Sequence, residues 1–327
     1  MLAAAYRVSL FAGLGLAALA MTVAPPAQAQ TPGHTISIIV PYTPASGPDI
    51  LGRLLGDEIS KRWKQPVVVE NKPGASGNIG TQFVARAAPD GNTIVVVSNP
   101  FTANISLLKS VPYDPIKSFE PIIEPALGSL ALTVNKSVPA KNVQEFVAYM
   151  KAHPNEVTYS SPGIGTPHHL AMELLNSLTH TKARHIPYRG SAGATQDLLA
   201  GHVQAGFQAI HVIKPLVADG NVRLLGLGSL KRSEIAPDLP TLDEQGIKGF
   251  EVDLWYGVLA PKGTPQAVID RYNTTINEIL KDPKVKATLA KQGLSTAGGT
   301  PDRLAKFLVT DIAKWKQVIK DAGITPQ

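Results

Sequence analysis

The 327-residue sequence contains no cysteine. Disulfides, Cys-ligated zinc, iron–sulfur centres and a cysteine nucleophile are excluded together. Aromatic residues are scarce, at 6%. No run of five or six like charges occurs, so there is no basic tail of the kind that tracks nucleic acid, and no nucleic-acid partner is expected. After the first 24 residues, no segment approaches the ~20 consecutive apolar residues of a membrane-spanning helix. What is present is a chain with 44% hydrophobic and 17% charged residues, enough apolar material for a sizeable core. Its length suggests about two domains. The formal net charge is +6, a mild field that steers anionic small molecules.

The first 29 residues read as a secretory signal rather than as part of the fold. Arg7 supplies positive charge, residues 8–24 are almost wholly apolar, Pro25 and Pro26 break the helix, and Ala27-Gln28-Ala29 is a small-x-small cleavage site. The mature chain is expected to begin at Gln30 and to be exported.

Hydrophobic patterning then alternates between buried strands and amphipathic helices. Strands are expected at 35–40, 66–69 and 93–97, with helices at 49–64 and from the 73–77 turn to about 87. A second set of strands is expected at 130–135, 157–159, 185–187, 203–207, 222–227 and 250–259. Helices at 143–153, 167–178, 195–200 and 213–218 accompany it. After Pro261 the chain reads as helical, at 265–280, 283–292 and 301–321. Strand–helix alternation with β-branched strands implies parallel sheets covered by helices. Two α/β lobes joined by two crossing strands, near 130–135 and 250–259, would enclose a cleft. Lobe 1 is residues 30–131 with 256–327, and lobe 2 is residues 132–255.

Three small-residue loops lie at strand-to-helix junctions: 41–49, 71–80 and 160–167. Each feeds a helix N-terminus, where the first N–H groups lack partners and the dipole is positive, so an anion is favoured. Thr166, followed by Pro167, is a candidate N-cap. None of these loops carries a dinucleotide or P-loop spacing. Ser106-Leu107-Leu108-Lys109 is an S-x-x-K, but its companion motifs are out of order, and no G-x-S-x-G elbow occurs. His168 and His169 point about 100° apart on a helix and make poor joint metal ligands. Asp197 sits near the start of the 195–200 helix, where it either compensates the dipole or accepts a hydrogen bond from a ligand. Neither a catalytic set nor a cofactor site emerges, so an enzyme is not expected.

The segments Ile39-Val40-Pro41-Tyr42, Asp49-Ile50-Leu51-Gly52-Arg53, Tyr188-Arg189-Gly190-Ser191 and, above all, the ordered run from Val68-Val69-Glu70-Asn71 through Pro73-Gly74-Ala75-Ser76-Gly77-Asn78-Ile79-Gly80 carry a resemblance. The chain resembles the Bug family, the TctC-type substrate-binding receptors of tripartite tricarboxylate transport systems, over essentially its whole mature length. The resemblance implies a type II periplasmic binding protein that closes on a small organic anion, usually a carboxylate. It further implies a monomer that works with integral membrane transporter subunits and carries no cofactor. By position it assigns ligand contacts to Tyr42, Thr43, Ala45, Ser46, Asp49, Ser161, Gly165, Thr166, His169 and Asp197. The family often has Gly-Gly where this chain has Ala45-Ser46, and a methyl and a hydroxyl there narrow the loop and reshape the carboxylate pocket. Two other outputs remain open at this stage: signalling from the closed form to a sensor kinase, and an exported hydrolase or isomerase on the same scaffold. The intact mass of protein recovered from the periplasm is expected to correspond to a chain starting at Gln30; a species retaining residues 1–29 would contradict the signal reading.

Overall fold

The computed structural model describes residues 34–44, 46–188 and 190–326. The segment read as a signal, together with Ala45 and Arg189, lies outside the described residues. The first lobe opens with β1 (Ile36–Val40), α1 (Gly47–Trp63), β2 (Val67–Asn71), α2 (Asn78–Ala85), β3 (Thr93–Ser98) and α3 (Pro100–Leu107). The long strand β4 (Phe119–Asn135) leads into α4 (Val143–Ala152), β5 (Thr158–Ser161), α5 (Pro167–Thr179), β6 (Arg184–Pro187), α6 (Ser191–Ala200), β7 (Ala205–Ala209), α7 (Ile210–Ile213) and β8 (Val222–Leu227). The chain returns through β9 (Asp253–Pro261), α8 (Gln266–Ile279), α9 (Pro283–Lys291), β10 (Leu294–Thr296) and α10 (Pro301–Asp321).

The strands form a path β2-β1-β3-β9-β4-β7-β5-β6, with β8 and β10 also paired to β4. Residues 119–129 of β4 pair with β9, while residues 130–135 pair with β7 and β8. One strand therefore belongs to both sheets. Strands β1 and β3 run in the same direction as β4, because β3 is antiparallel to β9 and β9 antiparallel to β4. Strand β5 is parallel to β7, which is antiparallel to β4, so β5 and β6 run the opposite way. The carboxyl ends of the parallel strands in each lobe thus point toward the other lobe, the edge at which open α/β sheets bind ligands.

Alternation along β1 shows why the sheet needs cover on both faces. Ile36, Ile38 and Val40 pack with Leu51, Leu55 and Ile59 of α1 and with α8. Ile39 packs on the other face with Trp255, Leu304 and Leu308. The second lobe has its own core around Phe146, Tyr159, Leu170 and Phe207. Helix α10 serves both. Leu304 and Leu308 lie in the first-lobe core, while Trp315, Val318 and Ile319 lie in the second-lobe core. Its start is set by Thr300, whose side chain accepts from the Arg303 N–H at 3.3 Å, with Pro301 in the first turn.

Two departures from the sequence reading have physical causes. Strand β4 begins at Phe119, eleven residues before the expected start, despite Pro121 and Pro125. Irregularities in its register against β9 fall at these prolines, between Pro121 and Ile123 and between Ile123 and Ala126, where a missing N–H disrupts the ladder least. Helix α6 starts at Ser191, not 195, because Gly190 adopts φ +109° and Ser191, Ala192 and Gly193 continue into a helix that their composition disguised. Helix α3 and strand β10 had not been expected at all. Replacing the buried Trp315 by Ala should cost about 3–5 kcal/mol in urea denaturation. The exposed neighbour Val309→Ala should stay within about 0.5 kcal/mol of wild type, so equal effects would contradict the shared-helix packing.

Candidate functional site

On the first lobe the site is built around the entry to α1. The Tyr42 hydroxyl accepts from the Ser98 N–H at 3.3 Å, and its carbonyl accepts from Asn71 Nδ2 at 3.1 Å. Burial pushes the Tyr42 phenol up to about 12, so it stays neutral and polar. The exposed Thr43 turns the loop through its carbonyl, which accepts from the Ser46 N–H at 3.3 Å. Ser46 holds the N-cap position with extended backbone, yet its side chain makes no cap bond. Its Oγ is buried without a protein partner, an arrangement that costs free energy unless something else pairs with it. Gly47 follows because a Cβ there would fall 2.3 Å from the Tyr256 hydroxyl oxygen. Tyr256, on β9, thereby reaches the helix start, and burial raises its phenol to about 12.

Asp49 is differently engaged. Only 3% exposed, its carboxylate takes Asn71 Nδ2 at 2.8 Å and the Arg53 guanidinium at 3.0 and 3.1 Å. Arg53 also donates to Asn71 Oδ1 at 3.0 Å. This triangle ties the α1 start to the end of β2, so Asp49 positions the loop while complementing the helix dipole. The adjoining glycine-rich turn is strained. Gly74, Ala75, Ser76 and Gly77 all have positive φ, at 130°, 47°, 54° and 94°. For the two non-glycine residues the left-handed conformation costs roughly 1–2 kcal/mol each. Asn104 Nδ2 holds the Ser76 carbonyl at 3.0 Å, and Thr81 Oγ1 holds the Gly77 carbonyl at 2.8 Å. Asn78 Oδ1 takes Asn104 Nδ2 at 3.0 Å and the Tyr113 hydroxyl at 2.8 Å. The turn presses Gly77 to the Tyr42 ring, where a Cβ would come within 3.2 Å.

On the second lobe, Ser161 ends β5 fully buried, its Oγ 2.6 Å from His185 Nε2 and accepting from the Gly163 N–H at 3.1 Å. Thr166 caps α5 as expected, accepting from the His169 N–H at 3.4 Å while donating to the Gly163 carbonyl at 2.8 Å. The Gly165 N–H donates to His169 Nδ1 at 3.1 Å, which puts the proton of neutral His169 on Nε2. The His169 ring stacks on His185 at 4.1 Å, and His185 on Tyr159 at 4.9 Å. The Tyr159 hydroxyl in turn donates to Glu173. Burial holds all three nearby imidazoles low: His168 at about 4, His169 at about 3 with help from His185, and His185 at about 4. They are neutral polar groups at physiological pH.

The α6 start, which the sequence reading placed too late, is a further donor. Gly190 caps it, no side chain covers it, and a Cβ on Gly190 would meet nothing within 4 Å. Beneath it lies Gln208 of β7, 2% exposed. Its Oε1 accepts from Thr195 Oγ1 at 2.9 Å, but its Nε2 has no protein partner. Nothing in the sequence marks Gln208, an ordinary residue in a short strand; only the missing partner reveals it. Asp197 lies two turns into α6 rather than at its start, and accepts from the Tyr188 hydroxyl at 2.5 Å and pairs with His202 Nδ1 at 3.2 Å. The Tyr188 bond first, then His202, holds its carboxyl below the usual range.

Tyr42, Thr43 and Ser46 thus lie on the loop between β1 and α1, and Ser161, Gly165, Thr166 and His169 at the end of β5, its following loop and the first turn of α5. Asp49 and Asp197 are turned toward partners within their own lobes. The lobes meet where Leu107 of α3 packs on Gly165, at which a Cβ would lie 2.5 Å from its Cδ1. Among the described residues no group of three or more His, Asp or Glu is placed to hold a metal ion.

Comparison with known proteins is decisive at this point. Residues 51–324 match the model of the tripartite tricarboxylate transporter family receptor, TctC. The chain belongs to that family. It is 33% identical to the protein BugT of Bordetella pertussis over 96% of this chain and 97% of that one. Among solved structures, Rpa4515 of R. palustris with adipate shares 32% identity and a TM-score of 0.76, covering 90% of this chain and 99% of that chain. MatC from Rhodopseudomonas palustris with bound malate shares 29% identity and a TM-score of 0.71, covering 88% and 99%. The periplasmic binding protein BugD gives 33% and 0.72, covering 90% and 99%. The two-lobed fold is thus that of periplasmic binding proteins, and the family is one of solute-binding receptors.

The buried imidazoles give this family member a definite acid response. A group held low in the folded state contributes stability above its unfolded value near 6.5, and that contribution is lost as pH falls through the folded value. Folding stability should therefore decline from about pH 6.5 toward pH 4, with His169 contributing at most about 1.4 kcal/mol per pH unit in that window. Urea titrations at pH 7, 5.5 and 4.5 test this. A His169→Gln variant should show a flatter decline, and an unchanged slope would contradict the assignment.

Proposed function

We propose that this chain is a periplasmic receptor that captures a small organic anion, a carboxylate, between its lobes and presents it to the membrane subunits of a tripartite tricarboxylate-type transporter. The observation that carries this reading is that two buried polar atoms without protein partners lie at helix starts in different lobes, Ser46 Oγ at the α1 start and Gln208 Nε2 under the α6 start. Both sit beside helix N-termini, which favour negative charge. Fixed cations do not dominate the described contacts. Arg53 is committed to Asp49 and Asn71, so the anion is met by dipoles and neutral donors. The adipate and malate named for the solved relatives support a carboxylate ligand.

Capture proceeds by rotation about the two crossings, lobe 1 being residues 30–131 with 256–327 and lobe 2 residues 132–255, with α10 bridging them. Donors from the second lobe engage only when the lobes approach, which gives selectivity through the closed state. The receptor works as a monomer and carries out no catalysis on its ligand. No helix among the described residues is long and apolar enough to cross a membrane, so translocation falls to the integral partners. Ser46 replaces a residue that is often glycine in the family, and it supplies one more hydroxyl to the pocket.

Calorimetry of the mature protein with adipate, malate and a panel of mono- and dicarboxylates tests the reading. At least one is expected to bind in the micromolar range. Removing one charge-assisted hydrogen bond contributes about 1.5–3 kcal/mol, so Ser46→Ala should weaken that ligand roughly 10- to 100-fold. Absence of binding by every anion tried would end the proposal.

A further inference from the structure

Successive residues of β9 face opposite sides of the sheet. Tyr256 lies with Ile38, Val40 and the α1 start. Asp253 and Trp255 lie on the other side, where the crossing strands meet α10 and enclose a cavity of about 100 Å3. This chamber is remote in kind from the anion site, being lined by four carboxylates, Glu124, Glu251, Asp253 and Asp311, and two cations, Arg303 and Lys314. Both cations are committed. Arg303 pairs with Glu124 at 2.9 Å, and Lys314 pairs with Asp311 at 3.0 Å. Asp311 is further held by Thr102 Oγ1 at 2.7 Å and Trp315 Nε1 at 3.1 Å. Glu251 and Asp253 are left two residues apart on one face of the second crossing, and neither carboxylate has a cation within 4 Å among the described residues. A second carboxylate beside Asp253 disfavours its charged form. Trp255, which also lines the chamber, is 1% exposed and its indole N–H has no protein acceptor.

The chamber walls belong to different lobes. Glu124, Asn99 and Arg303 are anchored in the first. Trp315 is packed in the core of the second, and Lys314 beside it donates to the Glu251 carbonyl at 3.2 Å. Asp253 itself stands at the last rung of the β4–β9 ladder, opposite Ser129, and Leu130 begins the pairing with the second lobe. Rotation of one lobe against the other must change what surrounds this pair.

We propose that Asp253, with the Glu251 carboxylate beside it, is a proton-operated latch on the hinge: a proton held by Asp253 favours the lobe arrangement seen here, and its loss drives the lobes apart. Burial first, then Glu251, pushes the Asp253 carboxyl up to about 7, Glu124 adds to this, and Lys314 opposes it. Of the other charged groups facing Asp253, Arg303 is paired with Glu124, and Asp311 is held by Lys314, Thr102 and Trp315. Lys231, Arg232 and Glu234 approach from the loop after β8 across an adjoining pocket of about 550 Å3. Arg232 is held by Glu244 at 2.9 Å. Opening exposes the half-buried Asp253 further to water, and its carboxyl value then falls toward that of a free aspartate near 3.9. The sign follows: the arrangement seen here is favoured below about pH 7 and loses that advantage as pH rises through it.

The latch needs only the two-lobed fold, so it can be tested without any ligand. The cysteine-free chain accepts spin labels at Lys61→Cys on the first lobe and Lys151→Cys on the second, both exposed positions. Double electron–electron resonance on the ligand-free protein should show the mean label distance lengthening between pH 6 and 8. Asp253→Asn should keep the shorter distance throughout. Glu251→Gln, which removes the like charge but leaves Asp253 to titrate, should move the transition to lower pH. A distance that does not change with pH in the wild type, a transition that survives Asp253→Asn, or one that Glu251→Gln leaves in place would each overturn the proposal.

Discussion

The whole architecture hangs on one strand being hydrogen-bonded in two sheets. The 17 residues of β4 pair with β9 and β10 over the first part of their length and with β7 and β8 over the rest. Because backbone N–H and C=O groups must be paired wherever they are buried, this strand cannot be rerouted without unmaking both ladders. Its direction fixes the direction of every parallel strand on either side. The α1 start and the α5 and α6 starts end up opposed for that reason alone. The opposition of these helix starts is a consequence of strand polarity before it is a matter of side chains.

Much of the fold was legible because periodic patterns and caps agreed. Helix α10 was read at 301–321 from Leu304, Leu308, Trp315 and Ile319, and it forms over those residues. Thr166 was read as a cap and is one. Where the reading stopped short, the local residues are poor formers of the element they join. Pro121 and Pro125 lack the N–H that a ladder uses, and register irregularities in β4 absorb them. Gly193 is a poor helix former, yet it lies in the first turn of α6. The last helix looked like part of the first lobe because its connection is there, and the second-lobe packing of Trp315 is invisible to any local pattern.

The site was legible at the level of loops and only partly at the level of atoms. Small residues at strand ends marked the turns that lead into α1, α2 and α5, where backbone can approach a guest closely. Sequence could not say that Asp49 is absorbed by Arg53 and Asn71, nor that Asp197 is absorbed by Tyr188 and His202. A carboxylate next to a binding loop reads the same whether it faces a ligand or a strut. Gln208 and Tyr256 were silent because each lies in a strand and reaches the site only through tertiary contact.

The helix shared by the two cores also sets a rule for recombination among relatives. A chimera that exchanges residues 132–255 brings in a new second-lobe core but leaves the old Trp315, Val318 and Ile319 to pack against it. Grafts between family members should therefore carry the C-terminal segment as a third cassette, matched to the inserted half rather than to its covalent neighbours.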